Sequence, residues 1–126
     1  MIWRIEGNRI SLVKELDVLY CINCLRFSPD GDWIAFGKRG GIGLYCLETG
    51  QLQHIESGGV QSLDFSPNGS RIASAHRGEI KFWDPKNLIQ MGYVGVGRYL
   101  TGVRFINDQQ VVYVSRDAGV SLLGGK

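Results

Sequence analysis

The sequence predicts an all-β chain of repeated four-stranded antiparallel units, with little or no helix. Three observations carry this. A ten-residue segment, Ile22-Asn-Cys-Leu-Arg-Phe-Ser-Pro-Asp-Gly31, returns 38 residues later as Val60-Gln-Ser-Leu-Asp-Phe-Ser-Pro-Asn-Gly69, and again after another 40 as Leu100-Thr-Gly-Val-Arg-Phe-Ile-Asn-Asp-Gln109. Glycine is the compositional outlier, 18 of 126 residues against a usual share near ~7%, so turns are frequent. No stretch sustains a helical period.

Each repeat then unfolds in the same order. Its first strand carries apolar residues two apart (Leu25 and Phe27, Leu63 and Phe65, Val103 and Phe105), which places each pair on one face of a strand. A turn follows at Pro29-Asp30-Gly31 and Pro67-Asn68-Gly69, and at Asn107-Asp108 without the proline. Proline presets φ, and the residues after it tolerate the left-handed region. Residues 32–37, 70–75 and 110–115 are the predicted second strands. Third strands start at Ile42, Ile80 and Val120, and fourth strands span residues 52–56 and 88–93. The N-terminal segment adds a third strand from Ile2 and a fourth from Ile10 to about residue 16, thirteen strands in all. Strands alone, joined by short turns at a period of about 40 residues, are how four-stranded β-propeller blades are written. The expected units are residues 1–20 (partial), 21–57, 58–97 and 98–126 (partial). The glycine-rich run 92–98 is a connection between two of them.

These residues resemble the WD-repeat β-propellers. The match rests on the period, on Phe27-Ser-Pro29-Asp-Gly31 and Phe65-Ser-Pro67-Asn-Gly69, and above all on Ile80-Lys-Phe-Trp83-Asp84. Phe105 and Asp117 hold corresponding places in the last repeat. Ile2-Trp3-Arg4-Ile5 and Gly43-Leu44-Tyr45-Cys46-Leu47 are weaker copies of the third strand. The resemblance implies a Gly-His pair before the first strand, its His in an internal hydrogen-bond network, and an aspartate before the third. Here Gly58-Gly59 and Gly97-Arg98 stand at the first position, and Arg39 and Arg77 at the second, with Asp117 retained only in the last repeat. These departures speak against the family network in every blade and imply a divergent, less rigid fold.

Composition limits the function classes. A net charge of +2 and a pI near 8.5 are too mild to announce a nucleic-acid partner, and the basic residues are spread along the chain. No apolar run reaches the eighteen residues of a membrane span, and the first ten residues lack the apolar core of a secretion signal. Three cysteines fit a reducing compartment better than a disulfide framework, so a cytoplasmic location is expected.

Candidate chemistry is sparse. Cys21 and Cys24 have C-x-x-C spacing, but on a strand residues i and i+3 point to opposite faces. They are expected to be small packing residues rather than a redox pair or half a zinc site. His54 is expected on a polar or rim-facing side of its strand, and His76 at a strand end. No nucleophile-elbow or phosphate-loop pattern accompanies them. No catalytic residue, cofactor or metal site is therefore assigned. Trp33, beside the Asp30-Gly31-Asp32 turn, and Arg98-Tyr99, between blades, are the expected anchors for a protein partner, since aromatic and arginine side chains dominate such contacts.

About three blades plus one surplus strand form an incomplete ring, because closed propellers use roughly four to eight blades. Terminal blades with bare apolar faces and unpaired edges invite another chain. Either a head-to-tail homodimer closes a six-bladed ring, or the missing blades belong to a longer chain, as the mid-blade ending at Leu123-Gly-Gly-Lys126 favours. The expected function is a non-catalytic scaffold for protein–protein interaction. The alternative is a propeller enzyme or small-ligand sensor with a central-channel site, for which the inner strands offer Asn23, Gln61 and Thr101.

Overall fold

The two Ser-Pro turns show how directly the repeat dictates structure. In the first, the Ser28 carbonyl accepts the Gly31 N–H at 2.9 Å. Asp30 Oδ1 accepts the Ser28 hydroxyl (2.5 Å) and the Asp32 N–H (3.0 Å), while Ser28 Oγ accepts the Trp33 N–H (3.0 Å). In the second, the Ser66 carbonyl accepts the Gly69 N–H at 2.8 Å. Asn68 Oδ1 takes the Ser66 hydroxyl (2.9 Å) and Ser70 N–H (3.0 Å), and Ser66 Oγ takes the Arg71 N–H (3.0 Å). Asp and Asn are interchangeable here because each offers one acceptor oxygen at the same place. Gly31 and Gly69 close the turns at φ of 80° and 76°, a region costly for residues with a Cβ.

The computed structural model describes residues 2–6, 9–14, 22–116 and 119–124. The strands are β1 (Ile2–Glu6), β2 (Arg9–Lys14), β3 (Ile22–Phe27), β4 (Trp33–Lys38), β5 (Gly41–Cys46), β6 (Leu52–Glu56), β7 (Ser62–Phe65), β8 (Ile72–Ala75), β9 (Arg77–Asp84), β10 (Ile89–Asn107), β11 (Gln110–Ser115) and β12 (Gly119–Gly124). None of the described residues is helical. β1 and β2 pair with each other, β3 to β6 form a four-stranded sheet in chain order, and β7 to β12 form a six-stranded one, all antiparallel.

Among the described residues twelve strands stand where thirteen are predicted, because β10 serves two blades. Residues 89–95 pair with β9, and residues 100–107 pair with β11. The glycine-rich connection is thus continuous strand rather than loop. A register shift between Gly95 and Tyr99 and a φ of 66° at Gly97 mark the passage from one blade to the next, as a bulge does. The protein is all-β, made of antiparallel propeller blades that do not close into a ring.

Among the described side chains, two apolar layers lie between successive blades. Ala35, Ile42 and Leu44 of the first sheet meet Val60, Leu63, Phe65, Ile72 and Trp83. Ala73, Ala75 and Ile80 on the opposite face of that second blade meet Leu100, Val103 and Val111, with Phe105 packed alongside. Period-two alternation feeds both layers from one blade. The first-strand pairs do not share one fate: Leu63 and Phe65 are 0% and 6% exposed, whereas Leu25 and Phe27 are 49% and 54% exposed. The residues are equivalent, but among the described side chains no further blade face covers β3.

Polar side chains also join the blades. Ser62 Oγ and Asp64 Oδ2 on β7 accept the N–H groups of Val103 (3.2 Å) and Phe105 (2.9 Å). These donors lie on the edge of β10 away from β11, an edge that would otherwise be unpaired.

Candidate interaction surface

Antiparallel order sorts the turns into two ends. The turns after the first and third strands share one end, and those after the second and fourth share the other. Trp33, at the start of β4, belongs to the first end. Tyr99, which pairs with Arg77 at the start of β9, belongs to the second. The expected anchors therefore do not form a single site. Arg98 lies on β10, and its side chain is outside the described part of the structure, as is Asp117.

At the first end, Trp33 is half-buried in a groove of about 450 Å³ between the turns of two blades. Pro29 and Phe65 give the groove apolar walls together with Pro85, and Asp30 and Lys86 set opposite charges on it. Pro67 is exposed on the neighbouring turn. Asp84 shapes the wall carrying Pro85, since its Oδ1 accepts the Lys86 N–H (2.9 Å) and its carbonyl the Leu88 N–H (2.8 Å). The Ser28 hydroxyl and the Asp32 N–H hold the Asp30 carboxyl below its ordinary pKa, so the groove keeps a fixed negative charge at neutral pH.

At the second end, the guanidinium carbons of Arg77 and Arg116 lie 5.2 Å and 4.5 Å from the centre of the Tyr99 ring. The Arg116 N–H also bonds to the Tyr99 carbonyl at 3.0 Å. The ring's negative face attracts both cations.

Between the ends lies a polar network that sequence reasoning missed. The Trp83 indole N–H donates to Ser74 Oγ (2.8 Å), Ser74 Oγ meets His76 Nε2 (2.7 Å), and His76 Nδ1 meets the Gly59 carbonyl (2.9 Å). A carbonyl only accepts, so Nδ1 carries the proton and Nε2 accepts the Ser74 hydroxyl. The family's Gly-His position is Gly59 here, and the imidazole arrives instead from the second strand. The expected loss of the network is thus wrong for this blade. The signal was present, since Ser74 and His76 are two apart and so share a face. Burial, then the Lys81 ammonium, depresses the His76 pKa and so favours the neutral ring.

The first full blade solves the same position differently. Phe36, Lys38 and Tyr45 stand where Ser74, His76 and Trp83 do. Lys38 Nζ meets His54 Nδ1 at 2.7 Å, and His54 is depressed by burial and by that ammonium.

Other candidate groups are engaged in packing or backbone bonds. Asn23 donates to the Val60 carbonyl (2.9 Å) and Thr101 to the Val114 carbonyl (3.3 Å), while the Gln61 N–H bonds to the Ala75 carbonyl (2.9 Å). Cys24 and Cys46 are free thiols; burial raises the pKa of Cys24, and Cys21 lies outside the described residues. Among the described residues no cluster of three His, Cys, Asp or Glu side chains could hold a metal ion.

Residues 14–41 and 45–84, more than half of the chain, match the family model described as WD domain, G-beta repeat. Among solved structures the chain is similar to the β-propeller domain of Myceliophteria thermophila Cps50 (Swd1), with TM-score 0.76 and 22% identity over 90% of this chain and 38% of that one. It is also similar to the RRP9 WD40 repeats and to U3-55K, each with TM-score 0.78 and 21% identity over 86% of this chain and 37% of the other. The chain thus spans less than two fifths of each of these structures. No curated protein matches it.

Proposed function

The chain belongs to the WD domain, G-beta repeat family, and from that premise we propose that it is a non-catalytic scaffold docking protein partners on its turn-bearing ends. The groove around Trp33 carries this reading. It joins a half-buried tryptophan to apolar walls and a charged rim, the composition of a protein contact whose anchor is aromatic. A cytoplasmic setting belongs to the same reading, in keeping with the free thiols Cys24 and Cys46.

The scaffold works within an oligomer or a larger propeller. Leu25 and Phe27 on β3, and Val114 and Val120 on β11 and β12, leave apolar side chains exposed at both outer blades. Equivalent residues between blades are buried, so a further blade, from a second copy or from more of the same polypeptide, gives these faces their partner. Solution mass distinguishes the two: a discrete dimer supports closure by a second copy, and a dispersed monomer opposes it.

Panning a random-peptide display library against the full chain tests the docking role. Enriched peptides are expected to lose binding to Trp33→Ala and to Lys86→Glu while retaining it to Tyr99→Phe. Peptides indifferent to both groove variants, or no enrichment at all, would overturn the assignment.

A further inference from the structure

Three arginines spread along the sequence are gathered by the fold. An arginine follows the second strand in all three described blades, at Arg39, Arg77 and Arg116, 38 and 39 residues apart. That spacing is the repeat period, so all three project from the end that carries Tyr99. All three are exposed. Among the described residues no carboxylate forms an ion pair with Arg77 or Arg116; Glu79 is paired instead with Lys81 at 3.6 Å.

The two guanidiniums drawn to one Tyr99 ring are like charges on one rim, and an anion bound at that rim offsets their mutual repulsion. The opposite end is predominantly acidic, with Asp30, Asp32 and Glu48 exposed and Asp108 half-buried, set against the exposed Arg71 and Lys86. A net charge of only +2 therefore conceals an uneven division of charge between the two ends.

We propose that the end bearing Arg39, Arg77 and Arg116 docks an acidic segment of a protein partner, with Arg77 and Arg116 receiving its carboxylates. A guanidinium fork binds a carboxylate through two parallel hydrogen bonds, and the Tyr99 ring holds both guanidiniums at the rim, 5.2 Å and 4.5 Å from the ring centre. A nucleic acid fits less well. Tyr99 already carries two cations and offers little room for a stacked base, and a long polyanion reaching past the rim meets the acidic end. Glu56, exposed at the end of β6, further confines the favourable field to a short stretch.

Fluorescence anisotropy tests this with a labelled Glu-Gly peptide of about ten residues and an oligouridylate of equal charge. The peptide is expected to bind, with affinity that falls as salt rises. Arg77→Gln and Arg116→Gln should each weaken it about tenfold, the loss of one charge-assisted contact. Arg71→Gln, at the acidic end, should leave it unchanged. Because all three side chains are exposed, unchanged melting curves separate binding from folding. Oligouridylate binding as tight as the peptide's, absence of salt-dependent peptide binding, or equal sensitivity to Arg71→Gln would each overturn the proposal.

Discussion

Ser74→Ala isolates the energetic role of the buried network. Ser74 is 0% exposed, and its hydroxyl accepts from Trp83 Nε1 at 2.8 Å and donates to His76 Nε2 at 2.7 Å. Alanine fills nearly the same volume, so packing changes little. It does leave an indole donor and an imidazole acceptor without partners, on side chains only 3% and 4% exposed. Orphaning one buried polar group costs about 1–3 kcal/mol. Two, with some relaxation between them, cost about 2–4 kcal/mol, a sizeable part of the ~5–15 kcal/mol typical of a folded domain. Urea denaturation should show a lower midpoint with an unchanged slope. Trp83→Phe removes the indole donor, so adding it to Ser74→Ala should cost less than the sum of the two single changes. A Ser74→Ala loss below about 0.5 kcal/mol, or strict additivity in the double variant, would refute the reasoning.

Two other perturbations test neighbouring features. Both imidazoles titrate below their ordinary value, so the unfolded chain, with histidines near pH 6.5, takes up protons that the folded chain refuses. Stability should be level above about pH 7.5 and fall as the pH drops through 6.5; urea midpoints measured in His54→Gln should still fall, and a flat profile there excludes His76 as a contributor. Gly43→Ala would drive a Cβ into the Phe36 ring, which is 1% exposed, whereas Gly92→Ala meets nothing within 4 Å. The first should cost about 1–3 kcal/mol and the second far less, so equal melting points would contradict the packing at Phe36.

Strand positions were legible because alternation and turn chemistry are local. Residues 52–56 and 110–115 carry their strand pattern in plain view, and the Ser-Pro-Asp-Gly and Ser-Pro-Asn-Gly turns encode their own hydrogen bonds. The continuity of β10 between its two predicted strands was not legible, since Gly92, Gly95 and Gly97 are a loop signal in isolation. Pairing with β9 and then with β11 supplies the extended conformation that local preference does not. Trp33 and Tyr99 were recognisable as partly exposed aromatics, yet their placement at opposite ends depends on strand direction. The role of His76 was not legible because the repeat pattern carries its imidazole before the first strand, whereas His76 follows the second. The structural requirement is an imidazole between Ser74 and the Gly59 carbonyl, and residue order does not state which strand supplies it.

The contrast between blades explains why the departures from the repeat pattern need not loosen the fold. At one set of positions the second full blade buries Ser74, His76 and Trp83 in a satisfied polar chain. The first lays the Phe36 ring across Gly43 and keeps Lys38 beside His54. A blade needs its interior filled and its buried donors paired, and either solution does both. What the fold does fix is the end to which each turn projects. Substitution at a turn therefore alters charge with little effect on the core. Arginine at three successive second turns, in two of them where the repeat pattern carries aspartate, changes the sign of one rim while the apolar layers between blades remain intact. The turns determine what the protein can hold, and the period ensures that they hold it together.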